Sequence, residues 1–227
     1  MEHPLLSGIV GSTAYGLATP NSDVDRLGVF AYTTNELVGL HRPKESIVTN
    51  EPDVTRHEAG KYAALALKCN PTVMELLWLP DELYELRTAL GRALIDIRTA
   101  FLSKEYVRNA YLGYATQQFK RLESRGDGSF SADTRKRTAK HARHLARLVD
   151  QGLVLHTEGR LPIKVGNPQA LHDFGEQVAA GDLDLAKNKL EAASFAFDLT
   201  ESVLPEKPDT ARVEAWLQSV RRAMWEN

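Results

Sequence analysis

The 227-residue chain has a single cysteine, Cys69, which excludes an internal disulfide framework and a cysteine-built zinc site and fits a reducing cytosol. It has no apolar run long enough for a membrane span. Its start, Met1-Glu2-His3-Pro4, lacks the basic and apolar regions of a signal peptide, so action in the cytoplasm with no membrane partner is expected. A large charge imbalance is missing too: the formal net charge of -2 argues against a wholesale nucleic-acid coat and leaves room only for a local basic face. Internal repeats and low-complexity tracts are absent, and His3, His41, His57, His156 and His172 show no metal-ligand spacing. What remains, 43% hydrophobic with ordinary charge content, is a globular composition long enough for one large or two small domains.

The rest of the chain is organised around Ser7 to Phe30, S-G-I-V-G-S-T-A-Y-G-L-A-T-P-N-S-D-V-D-R-L-G-V-F. The apolar run from Leu5 to Val10 ends at Gly11-Ser12. Small, turn-prone residues follow, and Asp23 and Asp25 open a second apolar run. This pattern predicts two short strands flanking a glycine-bearing turn. Strand alternation would turn Asp23 and Asp25 to one side, where both ionise comfortably only with a cation between them. Magnesium suits such a pair, because it takes one or two carboxylates and completes its shell with water and phosphate oxygens. Gly11 lets the backbone approach a phosphate closely, and the Ser12 hydroxyl adds a donor. Ser22 either holds a phosphate oxygen or caps the turn, and Arg26, on the opposite strand face, is expected to be structural.

Extended runs are predicted over Leu5–Val10, Val24–Tyr32 and Ser46–Val54, with a helical turn in T-T-N-E-L-V-G-L. Helix is expected from Thr55, with Glu58 as its capping-box partner, and again from Pro71 behind an Asn70 cap. Beyond Asp81 nearly everything reads as helix: 83–100, 104–125, 134–151, 168–180, 183–203 and 210–225. Breaks are expected at Gly126-Asp127-Gly128, at Gly152, from Gly159 to Pro168, at Gly181 and over Leu204–Pro208, with a brief extended piece near Ile163. The expected class is α+β, an N-terminal mixed β-sheet with flanking helices over residues 1–100 and a C-terminal α-helical bundle over residues 101–227.

Helix 134–151 carries the second signal. Ala139, Ala142, Leu145, Ala146 and Val149 share one face, while Lys136, Lys140, Arg143, His144 and Arg147 share the other. Six Lys or Arg residues and no acid lie between Arg135 and Arg147. The choice is between a solvated charged face and an anion-binding one. His141 falls at the border and is expected to pack. Glu75, in an otherwise apolar helix, must face out or pair with a basic partner such as Lys61 or Arg147.

The Gly-Ser and Asp-x-Asp pattern resembles the signature of the nucleotidyltransferase superfamily related to DNA polymerase β. In its full form, with C-N-P-T-V-M-E-L-L-W at Cys69 to Trp78, Y-A-T-Q-Q-F at Tyr114 to Phe119 and K-H-A-R-H-L-A-R-L at Lys140 to Leu148, it resembles the RNA-repair-pathway branch, which also occurs in phages. The resemblance implies a nucleotidyltransferase-type catalytic domain, a helical domain closing the cleft, and transfer of a nucleoside monophosphate from an NTP to an RNA 3′ end with two Mg²⁺ ions, for which Mn²⁺ can substitute. It implies metal-binding and catalytic roles for Asp23 and Asp25 and calls for a third carboxylate. Asp53 is favoured over Glu58, and Glu51 is weaker still. Gly11, Ser12, Ser22, Lys140, His144 and Arg147 are the expected nucleotide contacts. Two alternatives stay open: a protein side chain as acceptor, as in toxin-associated nucleotidyltransferases, or a nucleotide- or RNA-binding module with a vestigial metal site. The base preference and the oligomeric state do not follow from these residues.

Overall fold

The computed structural model describes residues 2–20, 22–124 and 132–225. In chain order the elements are β1 (His3–Ile9), α1 (Gly11–Tyr15), β2 (Arg26–Ala31), α2 (Thr34–Val38), β3 (Ser46–Asn50), β4 (Asp53–Glu58), α3 (Ala59–Ala66), α4 (Pro71–Glu75), β5 (Tyr84–Arg87), α5 (Ala89–Asp96), α6 (Lys104–Glu123), α7 (Ala132–Glu158), α8 (Pro168–Ala179), α9 (Leu183–Leu199) and α10 (Thr210–Ala223). The chain divides into two compact units, Met1–Ser103 with Lys207–Asn227, and Lys104–Glu206. The fold is α+β, as the strand-rich start and helical remainder require.

The first unit is built on a mixed sheet, which among the described residues has five strands in the order β3-β4-β2-β1-β5. β1 runs antiparallel to β2 and β5, β3 is antiparallel to β4, and β2 is parallel to β4. From Leu27 to Ala31 every residue of β2 is buried, so the sheet is covered on both faces here and the alternation of a half-exposed strand is lost. The core beneath it takes in Leu6, Phe30, Tyr62, Met74, Leu76 and Leu77, all fully buried. The Tyr62 hydroxyl donates to the Val73 carbonyl at 2.9 Å, which satisfies its polar end inside apolar surroundings. α10 returns to this unit: Trp216 Nε1 donates to the Leu90 carbonyl at 3.0 Å, and the Thr34 hydroxyl donates to the Arg221 carbonyl at 2.6 Å.

In the second unit α7 packs against α6, α8 and α9 and is the central element. Three tertiary constraints override local expectations. The break expected at Gly152 is absent, and α7 continues to Glu158. Gly152 is there for packing, because a Cβ would lie 2.7 Å from the Cβ of Tyr111 on α6 and 3.1 Å from the Phe197 ring on α9. The helix expected from Thr55 starts at Ala59, since parallel pairing with β2 holds β4 extended as far as Phe30 opposite Glu58. Within the expected helix 83–100, Tyr84–Arg87 is a strand at the sheet edge, too short to display a period and fixed by β1. Residues 161–165 form no strand, although Ile163 is buried. The break expected at Gly126-Asp127-Gly128 lies outside the described residues.

Candidate active site

The site begins where β1 runs out. Val10 N donates to the Asp25 carbonyl at 2.9 Å, and at Gly11 the backbone turns through φ +67 into α1. α1 ends at Gly16, φ +74, with Leu17 N donating back to the Ser12 carbonyl at 2.9 Å, the glycine-closed end usual for a helix. The connection expected to be a plain turn is therefore a short helix. Gly11 is required twice over: its φ is left-handed, and a Cβ there would sit 2.0 Å from Oδ2 of Asp25. The Asp25 carboxylate thus lies directly against the Gly11 backbone.

The Tyr15 hydroxyl donates to the carboxylate of Glu75, which is buried at 2% exposure. This bond ties α1 to α4 and places Glu75 inside the unit, not on its surface. A carboxylate buried among apolar residues needs such donors.

Asp23 and Asp25 lie in the irregular segment just before β2, not in the strand. Asp23 is exposed and Asp25 half-buried. In the parallel register Arg26 stands opposite Val54, so Asp25 and Asp53 occupy equivalent positions, each one residue before a paired position, at the same end of neighbouring strands. Asp53 is exposed. Asp25 and Asp53 are thus delivered to one sheet end by neighbouring strands, with Asp23 two residues before Asp25 in the same segment. Among the described residues no group of three or more His, Cys, Asp or Glu is gathered tightly enough to hold a metal by itself. A hard cation completing its shell with water and phosphate oxygens needs only one or two carboxylates, and the oxygen-only donors Asp23 and Asp25 fit that demand.

Glu58 is engaged elsewhere. It is 4% exposed, accepts Gly60 N at 2.7 Å as the N-cap of α3, and takes both terminal nitrogens of Arg221 from α10. Arg26 Nε donates to Glu85 on β5 at 2.8 Å. Ser22 closes its own turn: its Oγ accepts Thr19 N at 2.9 Å and lies 3.0 Å from the Thr19 hydroxyl. Ser12 is half-exposed in the first turn of α1.

In the second unit α7 does not present one continuous basic face. Lys136 and Lys140 are exposed, Arg143 is half-buried and lies 3.9 Å from Glu176, and Arg147 is buried at 6% exposure. Arg147 donates to the side-chain oxygen of Gln151, whose nitrogen donates to the Pro162 carbonyl at 2.7 Å. Burial and the neighbouring Arg147, His141, Arg121 and Lys140 push the His144 imidazole down to about 3, so it is neutral near pH 7 and adds no charge to the row. His141 packs as expected, Nδ1 lying 2.8 Å from Gln118 Oε1. The face expected to be polar is partly covered because three helices surround α7.

A family model for the RNA repair pathway DNA polymerase beta family matches residues 4–193. The chain belongs to this family. The match takes in the aspartates at the sheet end as well as α7, and membership supports a nucleotidyltransferase role for the chain. No curated protein matches it. Within the family match, sequence reasoning missed the Tyr15 to Glu75 bond, which joins residues 60 positions apart. It also missed Arg221 as the partner of Glu58, 163 positions away and beyond the matched span. Neither pairing leaves a local signal. A tyrosine in a glycine-rich segment and a lone acid in an apolar helix were the only hints. Among the described residues no helix is long and apolar enough to cross a membrane.

Proposed function

We propose that the protein transfers a nucleoside monophosphate from an NTP to an RNA 3′ end, releasing pyrophosphate. The observation that carries this reading is the packing of the Asp25 carboxylate against the left-handed Gly11, which fixes an acid at the end of β2 beside the start of α1. In the reaction the acceptor 3′-oxygen forms a bond to the α-phosphorus, the bond from that phosphorus to the bridging oxygen of the pyrophosphate breaks, and the hydroxyl proton leaves to a carboxylate or to solvent. Asp23 and Asp25 are the residues that would hold Mg²⁺, which when bound supplies charge neutralisation at the phosphate oxygens. Asp53 provides the third carboxylate from the neighbouring strand. Gly11 leaves room for the Asp25 carboxylate beside the start of α1, and the Ser12 hydroxyl orients a phosphate oxygen.

RNA as acceptor rests on family membership. The competing reading is nucleotide binding without turnover. Pyrophosphate release in the presence of NTP, Mg²⁺ and RNA separates the two: release that requires RNA supports transfer, and NTP binding with no release supports the binding module.

A further inference from the structure

The cations of the helical unit are of two kinds. Some are paired: Arg108 with Asp198, Arg135 with Glu176 and Lys189 with Asp150. Others are not. Arg121 on α6 and Lys136, Arg137 and Lys140 on α7 are exposed, and among the described residues none of them forms an ion pair. Asp133, the acid in the first turn of α7, pairs with none of them among the described residues.

These cations lie together. Gln118 meets His141 at 2.8 Å and Tyr111 lies against Gly152, so α6 and α7 run antiparallel and the last turn of α6 is level with the second turn of α7. Lys136, Arg137 and Lys140 share an arc of about 100° on α7. Arg121 is on the same side, because, after burial, both Arg121 and Lys140 are among the charges that lower the His144 imidazole. Folding does not account for the group. Lys136 and Lys140 are like charges one turn apart, which destabilises a helix, and Lys136 and Arg137 stand toward the N-terminal end of α7, where the helix dipole favours acids. A like-charged cluster of this kind is relieved by an anion.

The spacing says which anion. Lys136 and Lys140 are about 6 Å apart along the helix axis, and Arg121 belongs to a neighbouring helix at about 8–10 Å. The charges are therefore spread over a surface and do not converge on one phosphate. A strand with successive phosphates reaches all of them, and contacts to phosphate carry no base information. We infer that this face of the helical unit docks the sugar–phosphate backbone of a single-stranded RNA through Arg121, Lys136, Arg137 and Lys140, whatever its base sequence. The inference deepens the proposed function, on which it rests for RNA as the polyanion, and gives the acceptor strand a holding surface carried entirely by the helical unit.

The test is fluorescence anisotropy of labelled single-stranded RNA dodecamers titrated with the full chain in EDTA over a series of salt concentrations. Neutralising one phosphate per cation should give log affinity against log salt a slope of about −3. Lys136→Ala combined with Lys140→Ala should weaken binding and flatten that slope by about 1.4, and Arg121→Ala should flatten it by about 0.7. Lys187→Ala removes an exposed cation of α9 that likewise has no ion pair among the described residues, and should change neither quantity. Oligo(U) and oligo(A) should bind with similar affinity. The replaced residues are all exposed, so the variants should melt with the wild type. An unchanged slope in the double variant, or equal flattening by Lys187→Ala, overturns the inference. ATP that binds through Lys136 and Lys140 while the RNA does not also overturns it, and identifies a triphosphate as the ligand. Pyrophosphate release is read separately: RNA held through these residues without release contradicts the proposed function and leaves the docking surface standing, whereas release with RNA binding indifferent to these residues removes the docking surface alone.

Discussion

The two units treat their charged residues in opposite ways. In the sheet unit the acids proposed to act, Asp23 and Asp53, are exposed and Asp25 is half-covered, with Asp25 and Asp53 set side by side by the β2–β4 register and Asp25 packed on Gly11. In the helical unit Lys136 and Lys140 stay exposed, but the later part of the basic row on α7 is drawn inward: Arg147 is buried, Arg143 half-buried and His144 discharged. A charge placed at a strand end by the loop before it is positioned by backbone geometry. A charge on a central helix is first claimed by packing, and its availability depends on what cavity, if any, opens beside it.

The largest expected effect sharpens the first half of that contrast. Loss of a partner behind a metal ligand costs about 10–100-fold in activity, so removal of a ligand itself should cost more. Asp23→Asn and Asp25→Asn should therefore lose transfer by more than about a hundredfold with no fall in melting temperature. Wild-type turnover in either would remove the aspartates from the site.

Asp53 and Glu58 divide the two kinds of carboxylate within one strand. Asp53→Asn should cut turnover by orders of magnitude while leaving thermal stability unchanged, as expected of an exposed group acting only in the reaction. Glu58→Gln should do the reverse, destabilising by an amount near the lower end of the about 3–5 kcal/mol seen when a buried pair is broken, because Arg221 is left facing a neutral amide. Paired activity and melting measurements check both, and a Glu58 variant that stays stable but inactive would transfer the catalytic role to it.

Glycines provide a matched pair across the units. Gly11→Ala should lower both stability and transfer, at a cost of about 1–3 kcal/mol, since it strains a left-handed backbone and drives the Asp25 carboxylate away. Gly152→Ala should lower stability by a similar about 1–3 kcal/mol through overpacking against Tyr111. Its effect on transfer should be small. Equal losses of activity would mean that the site is as sensitive to helix packing as to its own loop.

His144 gives the smallest effect and a definite sign. Its folded value of about 3 lies below the usual 6.5, so between these two values the unfolded chain binds the extra proton and the native state does not. Its contribution to stability is therefore present above about pH 6.5 and is lost progressively as pH falls toward 3. His144→Gln should flatten the decline of melting temperature across that window. An unchanged slope would show that the imidazole can be protonated in place.

Much of this was legible in the chain. Gly11, Asp23 and Asp25 lie within fifteen consecutive residues, and loop chemistry of that kind is local, so it can be read directly. The α+β class followed from the change of periodicity. Less accessible was anything that depends on distant partners. Gly152 reads as a helix stop until Tyr111 and Phe197 are seen beside it. Tyr84–Arg87 reads as helix until β1 pairs with it. The basic row on α7 reads as a surface because a period of 3.6 tells which residues share a face but not how many neighbours the helix has.

The central claim, that the aspartates at the end of β2 and β4 carry nucleotidyl transfer, is tested most directly by supplying each α-labelled NTP with Mg²⁺ and an RNA of defined 3′ end. Wild type and Asp25→Asn are compared, and the labelled macromolecule and released pyrophosphate are measured together. The account predicts label on the RNA 3′ end and an equal amount of pyrophosphate with wild type, and neither with Asp25→Asn. Label incorporated equally by both proteins, or no pyrophosphate from wild type with any NTP, would contradict it.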